Sequence, residues 1–422
     1  MELQPQIEND YIKDCYPNFN TNMTLPRHRW YAFKEGFSSL LVQRAIDETK
    51  QDLGKRKLTV LDPFSGSGTT PLTSIQNGCD GIGLEVNPFM SFVSKTKCLQ
   101  LSSYDSIEKE LETILLDSKK LVESPLEGES TFCEKSGRDK WLFNLSVLRQ
   151  YETIKKLIKE SDYYDFFKLA LISSIMSCCN AEKDGKCLRY KKNWQELDYN
   201  NEVLKSIFRK NVEDIICDLK SERNFNAKSK IELGSSLKSI KDISNNSINL
   251  IVFSPPYLNT FDYSDIYRPE LYLGDFVKNN AELRQIREET LRSHVQVNWK
   301  DHDKSSSIWA TKIASQIEEK KNELWNTNIP NMINNYFYDM EVLFKELFRV
   351  SRKGAQLWFV VGTSSYAGIE IPVDLILADI TSSIGWNPIS INVLRKLRTS
   401  SQCSSEEVRK IRLRESLIIC KK

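Results

Sequence analysis

A short apolar run, Leu58–Asp62 (LTVLD), leads directly into Asp62-Pro63-Phe64-Ser65-Gly66-Ser67-Gly68-Thr69-Thr70. Apolar run, glycine turn and helix start follow one another without a spacer. The glycines let the backbone turn tightly and approach a ligand without Cβ obstruction. The pattern is not a Walker A loop, because no GxxxxGK[ST] occurs in the chain. A second apolar run, Gly81–Val86 (GIGLEV), follows and carries Glu85 near its end. A carboxylate there is placed to accept hydrogen bonds from the two hydroxyls of a ribose. Strand, glycine turn, helix, strand and acid together make a nucleoside-binding layout.

Further strand signals are Ile248–Phe253 (INLIVF), Gln356–Val361 (QLWFVV) and Glu415–Cys420 (ESLIIC). Short, nearly continuous apolar runs suit strands buried on both faces of a parallel sheet. Helical patterns alternate with them at Ser38–Glu48, Thr69–Gln76 and Met340–Phe348. The alternation predicts an α/β, doubly wound core. It lapses twice. Residues 101–228 read as mainly helical, as in Trp141–Lys159 and Asp165–Met176, and residues 264–335 read as charged, aromatic and irregular. Both are treated as insertions, which divides the chain into 1–100, 101–228 and 229–422. A self-contained helical domain is the alternative for 101–228.

Ser254-Pro255-Pro256-Tyr257 again follows a buried run. In doubly wound sheets ligands bind outside the carboxyl ends of the strands, so this tetrapeptide is expected beside the glycine turn. Two prolines stiffen the backbone and remove two donors. The carbonyls, the Ser254 hydroxyl and the flat face of Tyr257 suit a planar base whose amino group is held by acceptors. The competing reading is a rigid strand-to-loop turn with Tyr257 in the core.

DPFSGSGTT together with SPPY resembles the amino-methyltransferases that use S-adenosylmethionine to methylate exocyclic nitrogens of DNA bases. Arg29–Ser38 (RWYAFKEGFS) and Leu347–Gly354 (LFRVSRKG) are more loosely similar to that family, and the likeness covers about 27–100 and 229–422. It implies a Rossmann-like, seven-stranded methyltransferase core. It implies a cofactor site made of Phe37, Ser38, Asp62, Phe64, Ser65, Gly66, Gly68, Thr69, Glu85, Asn87 and Ser235. It implies a catalytic group of Ser254, Pro255, Pro256 and Tyr257, with no enzyme nucleophile. Phe261 and Tyr263 are candidate helpers of Tyr257 in stacking on the base, with core packing as the alternative. Ser at the first position of SPPY leans toward cytosine N4, where Asp is more usual with adenine N6. Carbon-5 methylation needs a Pro-Cys pair, and no proline here precedes a cysteine. One departure stands out: Gly234-Ser235-Ser236 occupies the place where the family often has Gly-Asp. In some relatives the slot filled here by 101–228 holds the target-recognition domain.

Lys+Arg number 59 and Asp+Glu 57, so any nucleic-acid surface must be local. Lys183–Lys192 carries five basic residues and one acidic, and Arg395–Arg414 seven and two. Lys183, Lys186, Arg189, Lys191, Lys192, Arg395 and Arg398 are the candidate nucleic-acid contacts, with Arg284, Arg287 and Arg292 behind them. A solvated charged face is the plain alternative for each. The expected partners are double-stranded DNA and a cognate restriction endonuclease of a restriction-modification system. No metal or membrane is expected: three histidines lack ligand spacing, and no apolar run reaches spanning length. Ten cysteines without a CxxC pair suit a reducing, cytoplasmic setting. Adenine N6 methylation, an RNA or protein methyltransferase of the same fold, and a non-catalytic nucleic-acid-binding protein remain the alternatives.

Overall fold

A computed structural model describes residues 4, 11, 19–101, 103–129, 131–184, 187–222, 225–297, 299, 303–397 and 413–422. Seven strands form the main sheet: β1 (Thr59–Asp62), β2 (Asp80–Glu85), β3 (Ser229–Leu233), β4 (Ile248–Phe253), β5 (Ser351–Gly362), β6 (Asn387–Lys396) and β7 (Arg414–Lys421). Their order is β6-β7-β5-β4-β1-β2-β3. Strands β1 to β5 pair in parallel, and β7 lies antiparallel between β5 and β6. The chain builds outward from β1 through β2 to β3, then crosses back to place β4 on the other side of β1. The strand order therefore reverses between β1 and β4, where a doubly wound sheet opens a ligand crevice.

The central strands read as expected because both faces are covered. Every residue of β4 is buried, and burying a large apolar side chain contributes about 1.5–3 kcal/mol. Helix Ser39–Leu53 covers one face through Leu41, Val42, Ala45 and Ile46, which pack with Val60, Leu250 and Trp358. Ser38 caps its start and Gly54, at φ 58°, ends it in the left-handed region. Helix Ile329–Val350 covers the other face, with Met340, Phe344 and Leu347 against Ile251 and Phe359. Strands β3 and β6 carry no continuous apolar signal. They are the two edges of the sheet and only partly buried, so their sequences, SKIEL and NPISINVLRK, mix charge with apolar residues.

Residues 101–228 hold helices Ile107–Asp117, Leu145–Leu157, Tyr164–Ser177 and Asn201–Ser221, plus a hairpin of Ala181–Asp184 with Cys187–Tyr190. Their apolar faces do not close on themselves. Leu148, Phe166 and Phe208 share one core with Phe89 and Val93 of helix Pro88–Cys98 and with Tyr267 and Leu271. Polar ties reinforce the junction. Asp218, in the fourth of these helices, accepts from the Arg27 amide at 2.8 Å, the Arg29 Nη2 at 2.6 Å and the Trp30 Nε1 at 2.9 Å. Arg27, fully buried, donates from Nη1 to the Leu99 carbonyl at 2.8 Å and from Nη2 to the Glu222 carbonyl at 3.1 Å. Among the described residues no helix is long and apolar enough to cross a membrane.

Replacing Asp218 with Ala strands the Arg27 amide and the Trp30 indole and leaves Arg29 without its closest carboxylate. Leaving a buried donor without its acceptor costs about 1–3 kcal/mol. Asp218→Ala should lower the thermal unfolding midpoint by several degrees, which differential scanning calorimetry would read.

Candidate functional site

The carboxyl ends of β1 and β4 open into a cavity of about 470 Å³. The turn after β1 begins at Asp62, whose Oδ1 accepts the Phe64 amide at 2.9 Å. Gly66 and Gly68 have φ of 48° and 86°, a region that side chains disfavour. Space excludes a side chain as well. A Cβ on Gly66 would lie 2.8 Å from Phe33 Cε1, and one on Gly68 would lie 2.5 Å from Ser94 Oγ. The Ser65 amide donates to the Leu84 carbonyl at 2.9 Å, which fixes the turn to β2. The Thr70 hydroxyl donates to the Val252 carbonyl at 3.2 Å, which ties the following helix to β4.

Glu85 closes β2 and holds two loops at once. Its Oε2 accepts the Gly66 amide at 2.7 Å and its Oε1 accepts the Asn87 amide at 2.8 Å. Asn87 in turn caps helix Pro88–Cys98, accepting the Phe89 amide at 3.0 Å. Burial pushes the Glu85 carboxyl up to about 7, against the pull of the Asn87 and Gly66 amides. Burial also raises Asp62 to about 7, opposed by the Phe64 amide. The Gly234-Ser235-Ser236 turn follows β3. Its Gly234 amide donates to the Glu85 carbonyl at 2.9 Å, and the Ser236 hydroxyl donates to the Pro63 carbonyl. Ser236 thus fastens the turn, while Ser235, in the place where the resembling family often has an acid, lines the cavity.

Across the cavity, Ser254 Oγ donates to the Val360 carbonyl of β5 at 3.0 Å. With its proton committed there, the oxygen can only accept further bonds. Tyr257 Oη donates to Glu415 Oε1 of β7 at 2.6 Å, and Glu415 Oε2 accepts Arg395 Nε at 2.7 Å. Burial, then the Glu415 carboxylate, hold the Tyr257 hydroxyl well above its ordinary pKa, so it remains a donor. Phe261 and Tyr263 line the same wall, edge to face at 4.4 Å.

The remaining walls come from the segment before β1 and from both insertions. Phe33 stacks on Tyr267 at 5.8 Å, and the Tyr267 hydroxyl donates to Glu35. Lys183, from the hairpin, pairs with the fully buried Glu270 at 2.6 Å and lies 3.5 Å from the Tyr267 ring centre.

Phe37, Phe64, Gly66, Glu85, Asn87 and Ser235 line the cavity, as do all four residues of SPPY. Asp62, Ser65, Gly68 and Thr69 lie buried behind it and shape the turn. Ser38 requires a correction. Its hydroxyl accepts the Leu40 amide at 3.2 Å as a helix cap, and it does not line the cavity. Lys183 and Arg395, read as surface contacts, sit instead in the cavity wall and are paired with carboxylates. Arg189 is exposed and paired with Asp184 at 2.8 Å, Lys191 donates to Tyr199, and Lys192 is exposed. Lys186 and Arg398 lie outside the described residues. Arg292 is buried on Asp339 at 2.6 Å and Arg287 is paired with Asp262 at 2.6 Å, both structural roles, while Arg284 pairs with Glu288 at the surface. Sequence reasoning missed Glu415 and Glu270. The available signal was an acid among mostly apolar residues, as in ESLIIC and PELYL.

Comparison with known proteins bears on this geometry. No family model matches the chain. The type II methyltransferase M.BsoBI of Geobacillus stearothermophilus is 29% identical over 462 residues, covering 96% of this chain and 87% of that protein. Over nearly its whole length the chain is thus similar to a type II DNA methyltransferase. The type II methyltransferase M.AvaI of Nostoc sp. is 27% identical over 89% of this chain and 82% of its own length. M.MvaI of Kocuria varians, another type II methyltransferase, is 22% identical over 86% and 82%. DNA methyltransferases such as these relatives use S-adenosylmethionine, and the residues present in this chain fit it. Gly66 leaves a bare backbone beside the cavity, and Glu85 presents a carboxylate whose remaining lone pairs can take two ribose hydroxyls. Gly66, Glu85, Asn87 and Ser235 would hold the group, with Phe33 and Phe64 beside it.

Ribose hydroxyls donate better to an ionised carboxylate than to a protonated one. Cofactor affinity should therefore rise as pH increases through about 7, with a proton released on binding. Glu85→Gln should weaken binding about ten- to a hundredfold and flatten that slope. Titration calorimetry in two buffers of different ionisation enthalpy measures both.

Proposed function

We propose that this methyltransferase transfers the methyl group of S-adenosylmethionine to the exocyclic amino nitrogen of a base flipped out of double-stranded DNA. Cytosine N4 within one short sequence is the proposed target, and a restriction-modification system is the proposed setting. The reading rests on one observation: Glu85 and Ser254–Tyr257 line the same cavity at the point where the strand order reverses.

A base amino group is a poor nucleophile, because its lone pair is delocalised into the ring. The Ser254 oxygen and the Pro255 carbonyl are acceptors that can take its two hydrogens and favour a tetrahedral nitrogen. The bound cofactor supplies an electrophilic sulfonium methyl. Holding the nitrogen in line with it is the main contribution of these residues, and such positioning is worth roughly 7–11 kcal/mol in favourable cases. Extruding a base from the duplex costs a few kcal/mol. Stacking on an aromatic face returns about 1–3 kcal/mol, which is the role proposed for Tyr257, with Phe261 and Tyr263 as the neighbouring wall.

Target recognition is proposed for 101–228, whose Lys183 reaches the cavity wall, together with the second insertion, which supplies Tyr267, Ile286 and Ser293. Arg189, Lys191 and Lys192 on or beside the hairpin are the proposed phosphate contacts, and binding through them should weaken steeply with salt.

Tyr257→Ala should lower turnover by more than tenfold while changing cofactor affinity little, whereas Glu85→Ala should weaken cofactor binding first. Steady-state kinetics beside calorimetry would expose a reversal of the two. The decisive test is expression in a host lacking DNA methylation, followed by sequencing for modified bases. N4-methylcytosine in one fixed context is the expected result. N6-methyladenine would move the target to adenine, and unmodified DNA beside soluble, cofactor-binding protein would move the acceptor to RNA or protein.

A further inference from the structure

Glu415 is a carboxylate near the start of β7, one strand in from the edge of the sheet. The next five residues, Ser416–Cys420, are apolar or small and buried, and Glu415 itself is only 2% exposed. Stability alone gives no reason to bury a charge there, because desolvation opposes it. Its register neighbour on β5 is Gly362. A Cβ on Gly362 would press on the Tyr257 ring at 3.0 Å, so the missing side chain makes room for the tyrosine to reach the carboxylate. Three strands thus converge on one interaction: SPPY after β4, the glycine of β5 and the acid of β7.

A carboxylate accepts and does not donate. Tyr257 Oη must give its proton to Glu415, at 2.6 Å, and Arg395 donates to the same group at 2.7 Å. The Tyr257 oxygen then faces Ser254 Oγ, 3.4 Å away, only as an acceptor, and the Val360 carbonyl is an acceptor at 3.0 Å. Both outlets for the Ser254 proton therefore lie within the protein.

We propose that Glu415 is a positioning residue of the methyl-transfer site: through the Tyr257 hydroxyl it fixes the stacking ring and keeps the Ser254 oxygen facing the target amino group as an acceptor. The proposal rests on the reading of SPPY as the base-holding site, and it adds a residue that neither motif contains.

A double-mutant cycle tests it, using single-turnover methylation rates and cofactor affinity on the full chain. Glu415→Gln and Tyr257→Phe should each slow transfer about ten- to a hundredfold with cofactor affinity unchanged. The double variant should be no slower than either single variant, because both act through the same bond. Multiplicative losses would overturn the proposal, as would a wild-type rate in either single variant. Should Glu415→Gln fail to fold, Tyr257→Phe decides alone. A loss of rate at unchanged cofactor affinity supports the proposal and an unchanged rate ends it. A wild-type protein that methylates RNA or protein would sink the DNA reading only, and the same cycle run on that acceptor would still decide the role of Glu415.

Discussion

The Glu85 side chain, at the end of β2, holds the glycine turn after β1 with one oxygen and the Asn87 amide before helix Pro88–Cys98 with the other. Two loops that would otherwise be independent become one rigid rim. The cost is a carboxyl held in a buried place, which its raised pKa records. A bare glycine backbone can take many shapes, and here the neighbouring strand supplies the restraint. The opposite wall is built the same way. A carboxylate from β7 restrains a side chain that follows β4.

Much of this was legible in the chain. The glycine turn, Glu85 and SPPY each follow a run of apolar residues long enough to mark a buried strand, and a doubly wound sheet brings such positions together by its topology. The central strands announced themselves because burial on both faces leaves little room for polar residues. Strands β3 and β6 did not, because an edge needs charge to stay soluble. Helix Ile329–Val350 extends well before the Met340–Phe348 pattern, because its first two turns, IPNMINN, carry three asparagines, of which Asn335 is buried.

The site was less legible than the fold. Ser38 matched a cofactor-closing motif, yet the start of a helix needs a side-chain acceptor and takes the hydroxyl. Lys183 looked like part of a basic strip, but only three-dimensional packing could bring it to Glu270, 87 residues away along the chain. Acids such as Glu415 and Glu270 carry little signal on their own. Their meaning lies in what faces them across the sheet or across an insertion.

Residues 101–228 share their apolar core with helix Pro88–Cys98 and with the segment around Tyr267. The boundary visible in sequence is therefore not a seam in the solid. A recombination event that imported this stretch from a relative would inherit half of an interface whose other half stayed behind. With base reading assigned to 101–228 as proposed, a new preference gained by module exchange would have to carry both halves together, or proceed by point changes within the existing insertion. Change in this stretch is in either case coupled to the integrity of the core it shares.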